Sequence, residues 1–298
     1  MLKSYFLGAN TQKGFASLYD RFPPDPQDFL HIIKGGPGTG KSSFMRRIAD
    51  AAEQQGISVQ RVFCSGDPDS LDGVYLPSLH LAWADGTAPH VLEPKIFGAD
   101  SDYVNLGAFF RRPFTPEEGE QLRALSEAYR EQYRLAYDCL SRIEFEERER
   151  TDEQLRQLLA SLPRKAERPG QIKRCFLRAV TCRGMQTAEY HADACLPAPS
   201  SSLESAAREA ADLGYEVILC PSPFDPSRPE AMLFPQLKLS FTDFHSPCRE
   251  HDPLLEKAVE KLRRAKGLHD DLEALYRGHV DFPALTDYTR ETVNALFA

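Results

Sequence analysis

Apolar residues fall along this chain in two rhythms. Short runs rich in β-branched or aromatic residues, such as Phe29-Leu-His-Ile-Ile-Lys34 and residues 59–64, have the length and make-up of strands. Elsewhere the apolar positions recur at helical spacing. Phe44, Met45, Ile48, Ala49 and Ala52 mark one helix face. Leu122, Leu125, Tyr129, Tyr133, Ala136, Tyr137, Leu140 and Ile143 mark a second, expected to start at Thr115-Pro-Glu-Glu118, where a capping hydroxyl, a first-turn proline and two acids coincide. Leu254, Leu255, Ala258, Val259, Leu262, Ala265, Leu268 and Leu272 form a third stripe. Alternating strand and helix predicts an α/β protein with a mainly parallel sheet.

The first strand-to-helix junction carries a phosphate-binding pattern. Gly35-Gly-Pro-Gly-Thr-Gly-Lys41-Ser42 fits G-x-x-x-x-G-K-[ST] at every fixed position, with a strand before it and a helix after it. Backbone N–H groups in such a loop turn inward around an anion at a helix N-terminus, whose dipole favours negative charge. Gly35, Gly36, Pro37, Gly38, Thr39, Gly40, Lys41, Ser42 and Ser43 are therefore the predicted nucleotide-binding residues. Lys41 should reach the β- and γ-phosphates, and the Ser42 hydroxyl should hold Mg²⁺.

A second Mg²⁺ acid is expected at the end of a neighbouring strand, and Asp85 closes the apolar run of residues 78–85. Lys41 and Asp85 are the catalytic candidates, with Ser42 and Asp85 as metal ligands. Gly86 follows Asp85 where many ATPases carry a water-orienting glutamate, which leaves Asp67, Asp69, Asp72 and Glu93 as candidate bases and His90 as a candidate phosphate or substrate contact. Arg46, Arg47, Arg111 and Arg112 could neutralise transition-state charge, the last two being the better placed. The chain has no Asn-Lys-x-Asp guanine-reading motif, which favours ATP over GTP.

The chain also resembles itself. A shift of 158 aligns residues 35–90 with 193–248, pairing Ser42 with Ser200, Gly56 with Gly214, Asp67-Pro68 with Asp225-Pro226 and Asp85 with Asp243. Phe6-Leu-x-Ala-x-Thr-x-x-Gly14 recurs as Phe176-Leu-x-Ala-x-Thr-x-x-Gly184 at a shift of 170, so the second copy has lost about a dozen residues after Gly184. In this alignment the phosphate loop becomes Asp193-Ala-Cys-Leu-Pro-Ala-Pro-Ser200, with no glycine and with proline for lysine. The expected fold is a duplicated P-loop NTPase-like three-layer α/β/α scaffold. Residues 1–162 would form the nucleotide-binding domain. Residues 163–298 would form a degenerate repeat with C-terminal helices.

Charge and composition narrow the partners. A net charge of −8 argues against broad nucleic-acid binding. The basic segment 164–174 is a local exception, read either as a phosphate or acidic-partner contact or as a solvated linker. No run approaches the length of a membrane span, and seven cysteines without a C-x-x-C pair suit a reducing compartment, so a cytoplasmic protein is expected. His245, Cys248, His251 and Asp252 are a weak candidate soft-metal cluster.

Phe6-Leu-Gly-Ala-Asn-Thr-Gln-Lys-Gly14, the phosphate loop, Ser70-Leu-Asp-Gly73, Asp85-Gly-Thr-Ala-Pro-His90, Asn105-Leu-Gly107, Ala265-Lys-Gly-Leu-His-Asp-Asp271 and Asp281-Phe282 together resemble a little-characterised family of bacterial ATP-binding proteins built from tandem P-loop halves. The resemblance implies a P-loop NTPase-like fold and ATP binding. Members carry a Gly-Lys-[ST] loop in both halves, and this chain departs from that in its second. Three readings stay open: a Mg²⁺-dependent ATPase with one competent site and a regulatory or partner-binding second half, a small-molecule phosphotransferase, and a non-hydrolysing ATP-dependent binding module. The second half's loop 220–229 is a candidate partner-facing segment.

Overall fold

The computed structural model describes residues 2–145, 150–244 and 252–297. The chain opens with β1 (Ser4–Phe6) and a hairpin of β2 (Gly8–Thr11) and β3 (Gly14–Ser17). It continues through β4 (Phe29–Lys34), α1 (Lys41–Gln54), β5 (Gln60–Phe63), β6 (Leu71–Leu76), β7 (Leu81–Asp85) and β8 (Ser101–Asn105). Two helices follow, α2 (Pro116–Leu140) and α3 (Glu153–Ser161). The Thr115 hydroxyl accepts from the Glu118 N–H while the Glu118 side chain accepts from the Thr115 N–H, the reciprocal cap expected at this start.

A second set of elements repeats the order. It comprises β9 (Ile172–Arg174), a hairpin of β10 (Arg178–Thr181) and β11 (Gly184–Thr187), β12 (Ala194–Pro197), α4 (Ser200–Asp212), β13 (Val217–Pro221), β14 (Pro229–Phe234) and β15 (Leu239–Thr242). Helices α5 (Pro253–Arg277) and α6 (Phe282–Leu296) close the chain.

The fold is mixed α/β with two mainly parallel sheets. The first has the order β1-β5-β6-β7-β4-β8, with β6 antiparallel to both neighbours. The second has the order β9-β13-β14-β15-β12, with β14 antiparallel in the matching place. Among the described residues β8 has no counterpart.

Layering differs from the three-layer expectation. Side chains alternate across each strand. Ile33, Val74, Leu76 and Trp83 pack with Phe44, Met45 and Ile48 of α1. The other face of the same sheet, including Leu30, Ile32, Tyr75 and Ala82, joins one core with Phe176, Ile218, Cys220 and Leu233 from the second set. Each sheet thus carries its main helix on one face and shares the other with its counterpart. Phe6 and Phe176, both buried, exchange backbone hydrogen bonds of 2.9 and 2.8 Å at the centre of this shared core.

Helices cross the expected boundary at 162 in both directions. Leu155 and Leu159 of α3 pack with α4, while Val280 and Leu285 pack with α1. α2 and α5 lie antiparallel, with Leu140 near Ala258 and the Tyr129 ring 5.8 Å from that of His269. The second half therefore reaches back over the first.

Candidate phosphate site

Strand β4 delivers the glycine-rich loop to α1. Gly38, at φ +64°, sits in the left-handed region that disfavours side chains, and a Cβ there would lie 2.7 Å from the Glu273 carbonyl oxygen of α5. The Tyr276 ring closes the corresponding space at Gly36. Thr39, buried, donates from Oγ1 to the Gly36 carbonyl at 2.8 Å and fixes the turn. α1 begins at Lys41 with no side-chain cap and no acid in its first turn, so its dipole and N-terminal N–H groups are available to an anion.

Two predicted catalytic residues meet here. Lys41 Nζ donates to the carbonyls of Gly35 (2.9 Å) and Gly36 (2.8 Å) and lies 3.6 Å from Asp85 Oδ2. The parallel register of β4 with β7, which sets Ile33 opposite Asp85, makes this meeting possible. Asp85 Oδ1 accepts from the Thr87 N–H and hydroxyl, which leaves Oδ2 facing the lysine. Ser42 Oγ accepts from the Leu71 N–H at 2.9 Å, which ties the helix start to β6. Gly86 is required where it stands, because a Cβ would collide with the Ile32 side chain. A glutamate after Asp85 is excluded by packing.

The other predicted acids divide by their partners. Asp67 lies 3.5 Å from Lys266 of α5, Asp69 pairs with Arg183, and Glu93 pairs with Lys34 at 2.8 Å on the surface. Asp72 differs. It is buried, accepts from the Tyr19 hydroxyl at 2.8 Å on Oδ2, and has His90 Nε2 3.3 Å from the same oxygen. Burial pushes its carboxyl above the ordinary range; His90 opposes this and the nearby Asp85 adds to it. The His90 ring stacks on Tyr19 at 4.3 Å, and burial beside Asp72 pushes the Tyr19 phenol far up.

Helix α5 supplies residues that reading the sequence missed. Lys266, His269, Glu273 and Tyr276 follow at spacings of three and four and turn one face toward the loop and its surroundings. Burial lowers the His269 pKa against the pull of Glu273, with Lys266 and Lys41 lowering it further. The segment 265–271 was the available signal.

Several expectations are corrected. Arg111 pairs with Asp281 at 2.8 Å and Arg112 faces Glu118 at 3.9 Å, while Arg46 donates to the Asp69 carbonyl. None of these three is bonded to the phosphate loop among the described residues. In the basic segment, Lys173 and Arg174 pair with Glu216 and Glu204, so their charge is committed internally. In the loop 220–229 proposed to face a partner, Pro221, Ser222, Pro223 and Phe224 are buried, with Phe224 beneath α2 and α5, and exposure is confined to Ser227 and Arg228. His245, Cys248 and His251 lie outside the described residues; Asp252 caps α5 by accepting from the N–H groups of Leu254 and Leu255.

The most instructive correction concerns residues 193–200. Strand register places Ala194 opposite Leu239 and Phe29 opposite Leu81, so β12 corresponds to β4 at a shift of 165. Helix α4 then starts after only Ala198-Pro199. Residues 194–197 are strand, not a substituted loop, and the two-residue connection is four residues shorter than the first. Asp243 occupies the helix start itself: its Oδ2 accepts from the Ser200 N–H (2.9 Å) and hydroxyl (3.0 Å), while Oδ1 lies 2.7 Å from Arg150 Nε.

Among the described residues no helix is long and apolar enough to cross a membrane. No protein-family model, curated protein or solved structure matches the chain.

Proposed function

We propose that this protein binds ATP at the loop between β4 and α1 and hydrolyses it, on a P-loop NTPase scaffold duplicated within one chain. The observation that carries the reading is the approach of Lys41 Nζ to Asp85 Oδ2, 3.6 Å apart, beside a helix N-terminus without a built-in acceptor. Glycines at positions closed to side chains, a lysine and a strand-end carboxylate are a donor set suited to a nucleoside triphosphate. Ser42 and Asp85 would hold Mg²⁺, which when bound neutralises charge on the β- and γ-phosphate oxygens. Lys41 would bind the phosphates, the loop N–H groups would orient them, and α5 would wall the site.

The second half keeps the scaffold without the phosphate loop, so one competent site per chain is proposed. Its role is to brace the site through α5. The absence of a guanine-reading motif makes ATP the nucleotide. Phosphate release from Mg²⁺-ATP by the full-length protein, compared with Mg²⁺-GTP and with Lys41→Ala, tests the reading. Turnover that survives Lys41→Ala defeats it. Phosphotransfer is the second reading, because Gly86 leaves no room for the usual water-orienting glutamate. ADP formation that depends on an added hydroxyl acceptor would favour it.

A further inference from the structure

We propose that His269, carried to the phosphate loop by α5 of the second half, is a phosphate-binding residue of this site: it meets a nucleoside triphosphate as an imidazolium and takes up its proton as the nucleotide arrives. The inference rests on the proposed nucleotide-binding reading and adds to it a ligand that the first half does not contain.

Contacts on either side fix where the residue stands. One turn toward the C-terminus of α5, about 5.4 Å along the axis, the backbone of Glu273 closes on Gly38 of the loop. One turn toward the N-terminus, Lys266 Nζ lies 3.5 Å from Asp67 Oδ2, in the segment that leads to Leu71 and its bond to Ser42 Oγ. Lys266, His269 and Glu273 follow at spacings of three and four, so they share one face of the helix. His269 therefore stands between the loop and the segment beside Ser42, on the face that meets both. Its side chain is 35% exposed, so solvent and a ligand can reach it. Neither ring nitrogen has a hydrogen-bond partner among the described residues; Glu273 Oε1 stops 3.8 Å from Nδ1.

The charge of the ring depends on what the loop holds. Burial favours the neutral ring, Glu273 and Asp270 oppose this, and Lys266 and Lys41 add to it. Tyr129 of α2 faces the ring at 5.8 Å, its phenol kept neutral by burial. Lys41 links the ring to the site, because it belongs to α1 and its charge is felt across the gap to α5. A triphosphate bound against Lys41 brings net negative charge even with Mg²⁺, so the influence reaching the ring from that side reverses sign.

The proton of the neutral ring is assigned to Nδ1, beside the Glu273 carboxylate, which leaves the lone pair on Nε2. On binding, a buffer proton bonds to Nε2 and the imidazolium donates to a phosphate oxygen. Free and bound protein thus differ by at most a single proton. Affinity falls as pH rises through the value the ring has in the complex.

The test is calorimetric titration of the full-length protein with a non-hydrolysable ATP analogue and Mg²⁺ from about pH 5.5 to 8.5, in buffers of different ionisation enthalpy that report proton uptake. Wild type should take up a proton fraction that His269→Gln lacks, and near pH 6 the variant should bind about 10–100-fold more weakly. The nucleotide's own titration is common to both proteins and cancels. His269→Lys, charged throughout, should hold affinity near that of wild type while losing the uptake, and it carries the test if His269→Gln does not fold. Uptake or affinity in His269→Gln equal to wild type, or uptake retained in His269→Lys, overturns the assignment and leaves the nucleotide reading standing. Affinity lost equally in both variants does the same, because charge then plays no part. No binding by wild type at any pH overturns the nucleotide reading and this assignment with it.

Discussion

The two strand-to-helix junctions of this molecule start from similar parts and satisfy the helix N-terminus in different ways. After β4, a six-residue glycine-rich loop leads to α1, whose start has no side-chain cap; the strand-end acid Asp85 stands back and faces Lys41. After β12, two residues lead to α4, and the strand-end acid Asp243 sits on the helix start, held by Ser200 and Arg150. A helix N-terminus attracts one negative group. In the second half the protein supplies it from its own chain; in the first, the loop holds the acid away and the helix start has no side-chain cap, which under the proposed function suits an anion from outside. The same contrast recurs one strand away. Asp72 and Glu230 occupy matching positions of β6 and β14, but Asp72 meets Tyr19 and His90, whereas Glu230 receives Arg178 through two hydrogen bonds of 2.9 and 2.5 Å. The second half pairs these acids with arginines, whereas the first half's meet a lysine, a tyrosine and a histidine.

Lys41→Ala should show the largest effect on the functional side. Phosphate release falls about 10²–10³-fold, by analogy with removal of one transition-state donor, while the thermal midpoint barely moves. Among the described residues the lysine bonds two carbonyls of its own loop and has Asp85 3.6 Å away, so folding depends on it little. On the structural side, Glu230→Gln should cost about 3 kcal/mol in denaturant unfolding, because Arg178 keeps its charge in a buried site and loses its neutralising partner. Equal stability of Glu230→Gln and wild type would erase the distinction between the two buried acids.

Substituting the paired strand-end acids sharpens the comparison further. Asp243→Ala removes a helix cap and leaves Arg150 without its carboxylate, an expected loss of about 2 kcal/mol with little change in ATP affinity. Asp85→Ala removes a local turn contact and the 3.6 Å approach to Lys41, which keeps its bonds to the Gly35 and Gly36 carbonyls, so stability should stay within about 1 kcal/mol while turnover collapses. Chemical denaturation and phosphate release on both variants would show the crossover. If Asp85→Ala is the less stable of the two, the contrast fails.

Local chemistry made some of this legible in the sequence. The strand–glycine turn–helix order at residues 29–54, the Thr115-Glu118 cap and the meeting of Lys41 with Asp85 all follow from short motifs whose partners are near in sequence or fixed by strand pairing. The layering was not legible, since strands such as β4 are apolar on both faces whether the second face meets a helix or another sheet. Residues 193–200 misled for a related reason: alignment without gaps turns a shortened loop into a substituted one, and only the register of β12 with β15 separates the two. Tyr276 and Glu273 lie more than 200 residues from the glycines they cover, a contact that no periodicity encodes.

The smallest expected effect has the opposite sign. Asp72 is held above its ordinary pKa chiefly by burial, so the folded protein binds its proton more tightly than the unfolded chain does. Stability contributed by this group is therefore lost as pH rises from the ordinary aspartate range through the raised folded value, and it stays lost at neutral pH. Asp72→Asn keeps the acceptor for the Tyr19 hydroxyl and abolishes the buried charge. At pH 7 its thermal midpoint should rise by about 2 °C, and near pH 3 the advantage should vanish, because the wild-type carboxyl is then protonated in both states. A variant that gains stability would mean that the charge is not retained for folding. A variant destabilised at neutral pH would place Asp72 beside Glu230 as a structural acid and remove the difference between the two halves at this position.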